Sequence, residues 1–143
     1  MKSAKSKRRV RQLTGKCRCG AVAYRVADAF RYALNCHCSD CRRATGAAFK
    51  PFAGIERPKL RLVRGSDQVL LYGQPEANHD VHCRRCGSLL YSVVSGGAMA
   101  HVTLGTLVSN PTIRPTAHIL VRDKAPWHTI TDDLPQYAGL PVA

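Results

Sequence analysis

The chain has 143 residues and seven cysteines, and its 22 Lys and Arg against 9 Asp and Glu give a formal charge of +13. That length fits one domain that can bury a core without disulfide staples. An odd cysteine count does not close into a disulfide framework, and no segment approaches the ~20 apolar residues that span a bilayer, so a small cystine scaffold and a membrane-spanning helix are both excluded.

The N-terminus, MKSAKSKRRVRQL, places Lys2, Lys5, Lys7, Arg8, Arg9 and Arg11 together with no acid among them. A run this basic and this poor in apolar residues predicts a solvated, flexible arm over 1–11, followed by one domain over 12–143. No aromatic is interleaved and no recognition motif follows, which argues against nucleic acid as its partner. The arm runs into no apolar stretch of the kind a secretion signal carries, so the expectation is a cytoplasmic protein. In that reducing setting clustered cysteines serve as metal ligands or reactive thiols more often than as cystines.

Short strands follow in order: AVAYRV (21–26), KLRLVRG (59–65), QVLLYG (68–73), SLLYSVV (88–94), AHVTLGTL (100–107) and AHILV (117–121). Each is rich in β-branched or aliphatic residues and is bounded by Gly, Pro, Ser or Asp. A 3.6-residue period survives for only a turn or two, over Ser39 to Thr45 with Ser39 as the expected cap. The fold class is mainly β, a single compact domain without internal repeats.

The thiols fall into three groups on that map: Cys17 and Cys19 in KCRCG, Cys36, Cys38 and Cys41 in NCHCSDCRR, and Cys83 and Cys86 in CRRCG. In the first and last groups a glycine, Gly20 or Gly87, follows the final cysteine directly. Wrapping two thiolates around one ion needs a tight turn, and glycine takes a positive φ without strain. Two such arms far apart in sequence close a four-thiolate structural zinc site on Cys17, Cys19, Cys83 and Cys86. A redox-active C-x-x-C is the competing reading, and the lack of a βαβ pattern counts against it.

The middle group offers three thiolates and no fourth. A tetrahedral ion with three protein ligands and one open position is the arrangement of catalytic zinc, so Cys36, Cys38 and Cys41 are read as ligands of a second zinc with its open vertex facing substrate. The alternative is a histidine at that vertex, from His37, His79, His82, His101 or His118. Arg42 and Arg43 come next, and their guanidinium forks suit a carboxylate-bearing ligand or are ordinary surface charge. Asp40, and behind it His37, are the candidates for proton transfer. Trp127 is expected to pack over the sandwich, and Asp132 and Asp133 to form a turn before Leu134 and Pro135.

Taken together, GKCRCGAVAYRV, NCHCSDCRRATGAAF, HCRRCGSLLY, GTL and PTAHILVRDKAPWHTITDDLPQYAG resemble the glutathione-dependent formaldehyde-activating family, which is also similar to the centromere protein V domain; the likeness runs over about 14–139. The resemblance implies several coiled β-sheets and two zinc ions, one structural on Cys17, Cys19, Cys83 and Cys86 and one labile on Cys36, Cys38 and Cys41. It also implies a carbon–sulfur lyase activity, the joining of glutathione and formaldehyde as S-hydroxymethylglutathione. Where relatives carry an aromatic before the C-x-x-C this chain has His82, and where they carry acids after GTL it has Val108 and Ser109, differences that bear on substrate. Two other classes compete with the enzyme: a zinc-stabilised module whose basic arm contacts nucleic acid, and a thiol redox or metal-buffering protein.

Overall fold

A computed structural model describes residues 9–141. Ten strands make two sheets. Strands β1 (Gln12–Lys16), β2 (Ala23–Ala27) and β5 (Leu60–Arg64) form a three-stranded antiparallel sheet in the order β1-β2-β5. The larger sheet runs β10-β3-β4-β9-β8-β7-β6, from β10 (His118–Ile119), β3 (Tyr32–Cys36), β4 (Lys50–Glu56), β9 (Met99–Thr103), β8 (Leu89–Val94), β7 (His79–Cys83) and β6 (Val69–Gly73). Only β10 pairs in parallel, against β3, with His118 opposite Asn35 and Ile119 opposite Cys36. The mainly β expectation holds. Most of the basic arm lies outside the described residues, and its last member, Arg11, pairs with Asp28 at 3.2 Å.

The period of two in each strand sorts the larger sheet into two faces. One face gives Ile55, Val81, Tyr91, Val93, Ala100 and Val102 to the main core, which Leu13, Tyr24 and Val26 complete from the smaller sheet. The opposite face carries Tyr32, Leu34 and Cys36 on β3, Lys50 and Phe52 on β4 and His101 on β9, and these form the wall of a separate cavity. Burying each large apolar side chain contributes roughly 1.5–3 kcal/mol, so the first face holds the domain together and leaves the second free for other work.

Six strands stand where the residue pattern places them, with ends shifted by a few residues. The stretch 100–107 stops at Thr103, because Leu104–Thr106 close a 3-10 turn, and 117–121 shrinks to His118–Ile119, because Leu120 takes a left-handed conformation at φ 55°. Strands β1, β3, β4 and β7 were not foreseen. β4, KPFAGIE, contains Pro51 and Gly54, which normally argue against a central strand. Here Pro51 stands at the strand's start, outside the stretch that pairs with β9, which begins at Phe52. Gly54 sits opposite Tyr32, whose ring folds over it so closely that a Cβ there would come within 2.3 Å of ring carbons. The same device recurs in the smaller sheet, where the Tyr24 ring covers Gly15. β7, HDVHC, hides its strand character because the outward positions Asp80 and His82 are polar and the inward ones include His79 and Cys83.

The one α-helix among the described residues, α1 (Ser39–Thr45), follows β3 after two residues. Its cap is Cys38, not Ser39: Cys38 keeps an extended backbone at ψ 155° and its Sγ accepts the Cys41 N–H at 3.2 Å, while Ser39 is already helical. Sulfur fills the role an oxygen usually takes at that position. Gly46 ends the helix at φ 66°, its N–H bonding the Arg42 carbonyl at 2.7 Å.

Candidate metal centres and the adjoining cavity

Cys17 follows the end of β1, and Cys83 is the last residue of β7; the turns after each bring in Cys19 and Cys86. The four sulfur atoms lie within 4.8 Å of one another. Cys19 Sγ is 3.7 Å from Cys17 Sγ and 3.8 Å from Cys83 Sγ. A tetrahedron of sulfurs at the zinc–thiolate distance of about 2.3 Å has edges of about 3.8 Å, so the arrangement fits a four-thiolate ion. Gly20 and Gly87 both take φ 81°, and a Cβ at either would meet nothing within 4 Å. It is therefore the left-handed backbone, and not crowding, that calls for glycine there.

Donors surround these sulfurs. The Val22 N–H points at Cys17 Sγ and the Arg85 N–H at Cys83 Sγ, each at 3.3 Å. Ser88 bridges the two arms, accepting the Arg18 N–H at 3.0 Å and standing 3.2 Å from Cys86 Sγ. Its hydroxyl is the main reason Cys86 is pushed down to about 5. Burial opposes ionisation of Cys17, yet the Val22 N–H and the neighbouring thiols outweigh it and leave its pKa below the ordinary thiol range. Cys19 accepts help from the Ala21 N–H, but burial and the thiols around it carry it up to about 11.

The second group is local. Cys36 ends β3, Cys38 caps α1 and Cys41 lies in the first turn, and their sulfurs also lie within 4.8 Å of one another. Among the described residues no histidine or carboxylate joins them as a fourth donor. Cys36 is the thiol drawn toward thiolate, down to about 6, chiefly by the Cys41 thiol that donates to it, with help from Lys50 against the cost of burial. Cys41, as donor, is pushed up, and burial raises Cys38.

Cys36 and Cys41 open into a cavity of about 330 Å³ whose other walls include Leu34, Lys50, Phe52, His101 and Ile119. Lys50 is paired directly with Cys36 across the β3–β4 ladder, which puts both side chains on the cavity face. It is only 6% exposed, and its ammonium lies 5.8 Å from the centre of the Phe52 ring. His101 stacks on Phe52 at 4.3 Å and its Nε2 meets the Tyr32 hydroxyl at 2.7 Å. Burial pushes His101 down to about 4. The sequence pattern missed Lys50, Tyr32 and Phe52, and it offered His101 as a fourth metal ligand, whereas His101 stands on the cavity wall and does not join the three thiols. The signal for them was the register of β4 against β3, which Pro51 and Gly54 concealed.

The proposed helpers of the triplet sit elsewhere. Asp40 and Arg43 are exposed and line a different, larger hollow of about 560 Å³ with Tyr72, Asp80 and His82. Arg42 is half-buried and its Nε has no partner. His37 is fully buried between Phe49, His118 and His128, away from the cavity. Its Nε2 meets His118 Nδ1 at 2.8 Å, and His118 Nε2 meets the Asp132 carboxylate at 3.1 Å. Asp132 therefore fixes the tautomers along the row: His118 donates to Asp132 through Nε2 and accepts from His37 through Nδ1. Burial, with the neighbouring His118, holds His37 down to about 4, so it is neutral at pH 7, and its Nδ1 has no partner. Asp132 also accepts the Leu134 N–H at 3.0 Å, the turn expected of it. Trp127 does not pack over the sandwich. It is 70% exposed, because the loop after Pro126 turns it outward.

A family model described as glutathione-dependent formaldehyde-activating enzyme matches residues 12–123, which include both thiol groups and every strand of the two sheets but none of the last twenty residues. The chain belongs to that family. A Halomonas elongata protein named "Putative glutathione-dependent formaldehyde-activating enzyme" is 25% identical over 123 residues, 80% of this chain and 78% of that one. The crystal structure of a Rhodobacter sphaeroides protein from a structural genomics programme is similar at a TM-score of 0.56 and 30% identity, covering 69% of this chain and 91% of that one. The family is named for an enzyme, one that activates formaldehyde with glutathione. No helix among the described residues is long and apolar enough to cross a membrane.

Proposed function

We propose that this member is a zinc-dependent carbon–sulfur lyase working in the bond-forming direction, adding a small thiol such as glutathione to an aldehyde. The observation that carries the reading is the triplet Cys36, Cys38 and Cys41: three clustered sulfurs, no fourth donor among the described residues, and two of the three facing a cavity. A zinc ion held there would take up a substrate thiol and lower its pKa, supplying the nucleophile. Cys17, Cys19, Cys83 and Cys86 hold the other zinc, which pins β1 to β7.

The reaction balances without an oxidant or reductant. The thiol sulfur forms a bond to the carbonyl carbon, the C=O π pair moves to oxygen, and the proton lost by the thiol ends on that oxygen. With glutathione and formaldehyde the product is S-hydroxymethylglutathione. The residues of the chain do five things. The helix cap at Cys38 fixes the loop, and the Asp132–His118–His37 row clamps that loop to β10 from behind. Lys50 sets a positive charge beside the sulfurs, and Arg42 and Arg43, on the outer side of α1, anchor the carboxylates of the peptide thiol. Asp40, in the first turn of α1 but facing the neighbouring hollow, exchanges protons with solvent on the outer side of the helix, where the thiol arrives. Seven thiols gathered into two metal-binding groups suit a reducing, cytoplasmic setting.

The test joins elemental analysis to exchange NMR. Two zinc ions per chain are expected, with protein-accelerated exchange between formaldehyde and its glutathione adduct. Cys38→Ser is expected to lose the acceleration and one zinc while staying folded. Exchange at the spontaneous rate in the fully zinc-loaded protein overturns the enzyme reading.

A further inference from the structure

The cavity beside the triplet does not suit either half of that simplest reaction. Formaldehyde has two non-hydrogen atoms, whereas about 330 Å³ falls at the lower end of the range for drug-sized ligands. A peptide thiol would bring carboxylates and an ammonium against Leu34, Phe52, Ile119, Leu120 and Leu140, where their desolvation has no compensation. The polar groups on the wall are few. The Tyr32 hydroxyl and His101 Nε2 satisfy each other, which leaves the Lys50 ammonium and the two thiols facing a ligand. Among the described residues Lys50 makes no ion pair, although it is nearly buried. An unpaired buried ammonium is costly, and three thiolates around a dication would carry a net −1 beside it. In the addition step that negative charge moves from sulfur to oxygen. A fixed ammonium lying along the cavity wall favours the step if the oxygen ends on its side. Leu120 reinforces the shape: among the described residues it is one of two non-glycines with positive φ, and its N–H is held by the Gly139 carbonyl at 2.9 Å, which brings Leu140 to the rim.

Resting on the reading of the triplet as a thiol-addition site, we propose that the cavity takes the carbonyl partner as an aldehyde with an apolar substituent of about four to eight carbons, its oxygen set against Lys50. The thiol approaches from the side of α1, outside the cavity. The bond formed is again carbon to sulfur, and the product is the thiohemiacetal of the longer aldehyde, with the thiol's proton on its oxygen.

Two measurements test this. In the first, zinc-loaded protein is titrated by NMR with straight-chain carboxylates from acetate to hexanoate, whose charged oxygens stand for the developing alkoxide. Each added methylene is expected to tighten binding by about three- to fourfold, the transfer free energy of a CH₂ group. Lys50→Met weakens hexanoate at least tenfold, and Leu34→Trp, which fills the cavity and leaves the charge in place, abolishes the dependence on chain length. Should Lys50→Met not fold, Leu34→Trp alone decides the matter. Affinity that is flat from acetate to hexanoate, or chain-length dependence that survives Leu34→Trp, overturns the proposal. In the second, glutathione is offered formaldehyde or hexanal, and the acceleration over the spontaneous rate is compared. Hexanal is expected to gain at least tenfold more, and an advantage for formaldehyde overturns the proposal. Chain-length-dependent binding without acceleration of any aldehyde supports the ligand class of the cavity and refutes the triplet as the thiol-addition site.

Discussion

The two thiol groups reach similar sulfur clustering by opposite routes. Cys17 and Cys19 come from one sheet and Cys83 and Cys86 from the other, so the four-sulfur group exists only when both sheets are in place. Cys36, Cys38 and Cys41 come from one strand end and one helical turn, and the group can form and lose a ligand locally. The first is closed by distant elements and faces no cavity with all its members, while the second leaves a side open to one. Burden of folding and freedom to react are thus separated along the chain.

The largest break in that comparison is mutational. Cys17→Ser or Cys83→Ser is expected to unfold the protein, because a structural zinc site contributes on the order of 10 kcal/mol, as much as a whole domain's net stability. Cys38→Ser should leave a cooperative thermal transition. Equal damage to both, read by circular dichroism, would show that the groups share one role.

Chelation sharpens the same contrast. A mild chelator should strip one zinc from the triplet within minutes and leave the other, since three protein ligands hold less firmly than four. Metal analysis of the desalted protein checks this, and simultaneous loss of both ions would contradict it.

A smaller effect is expected at the glycines. Gly87→Ala forces a Cβ into φ 81° and should cost about 1–2 kcal/mol, with no contribution from crowding. Gly46→Ala, at φ 66° after α1, should cost a similar amount but show it as faster zinc loss from the triplet. Denaturant midpoints and chelation rates separate the two.

An effect of comparable size concerns acid. His101 is held down to about 4 by burial, and an unfolded histidine titrates near 6.5. Between those values the unfolded chain binds more protons, so stability is full above pH 6.5 and falls as pH drops toward 4. His101→Phe, which takes up no proton, should lose less melting temperature over that interval than the parent.

Much of this was legible in the residues. Both thiol groups, the single helix and six strands could be read from cysteine spacing, flanking glycines and runs of β-branched residues. The wall of the cavity could not. Lys50 sits beside Cys36 only because β3 and β4 pair in that register, and β4 carries a proline and a glycine that locally argue against a strand. The Asp132–His118–His37 row was hidden for a related reason: its members are brought together by a two-residue parallel pairing too short to leave a pattern. Local chemistry shows in sequence, and side chains gathered by long-range register do not.

Tyr32 lies over Gly54 and reaches across β4 to His101 on β9. That overlay couples the two positions sterically. Any side chain at 54 evicts the ring, and with it one wall beside the sulfurs, whereas shrinking Tyr32 first leaves a bare glycine in a central strand. A lineage can therefore remodel this cavity cheaply from the rim, at Leu120 or Leu140, and only by a coupled double change at its tyrosine wall.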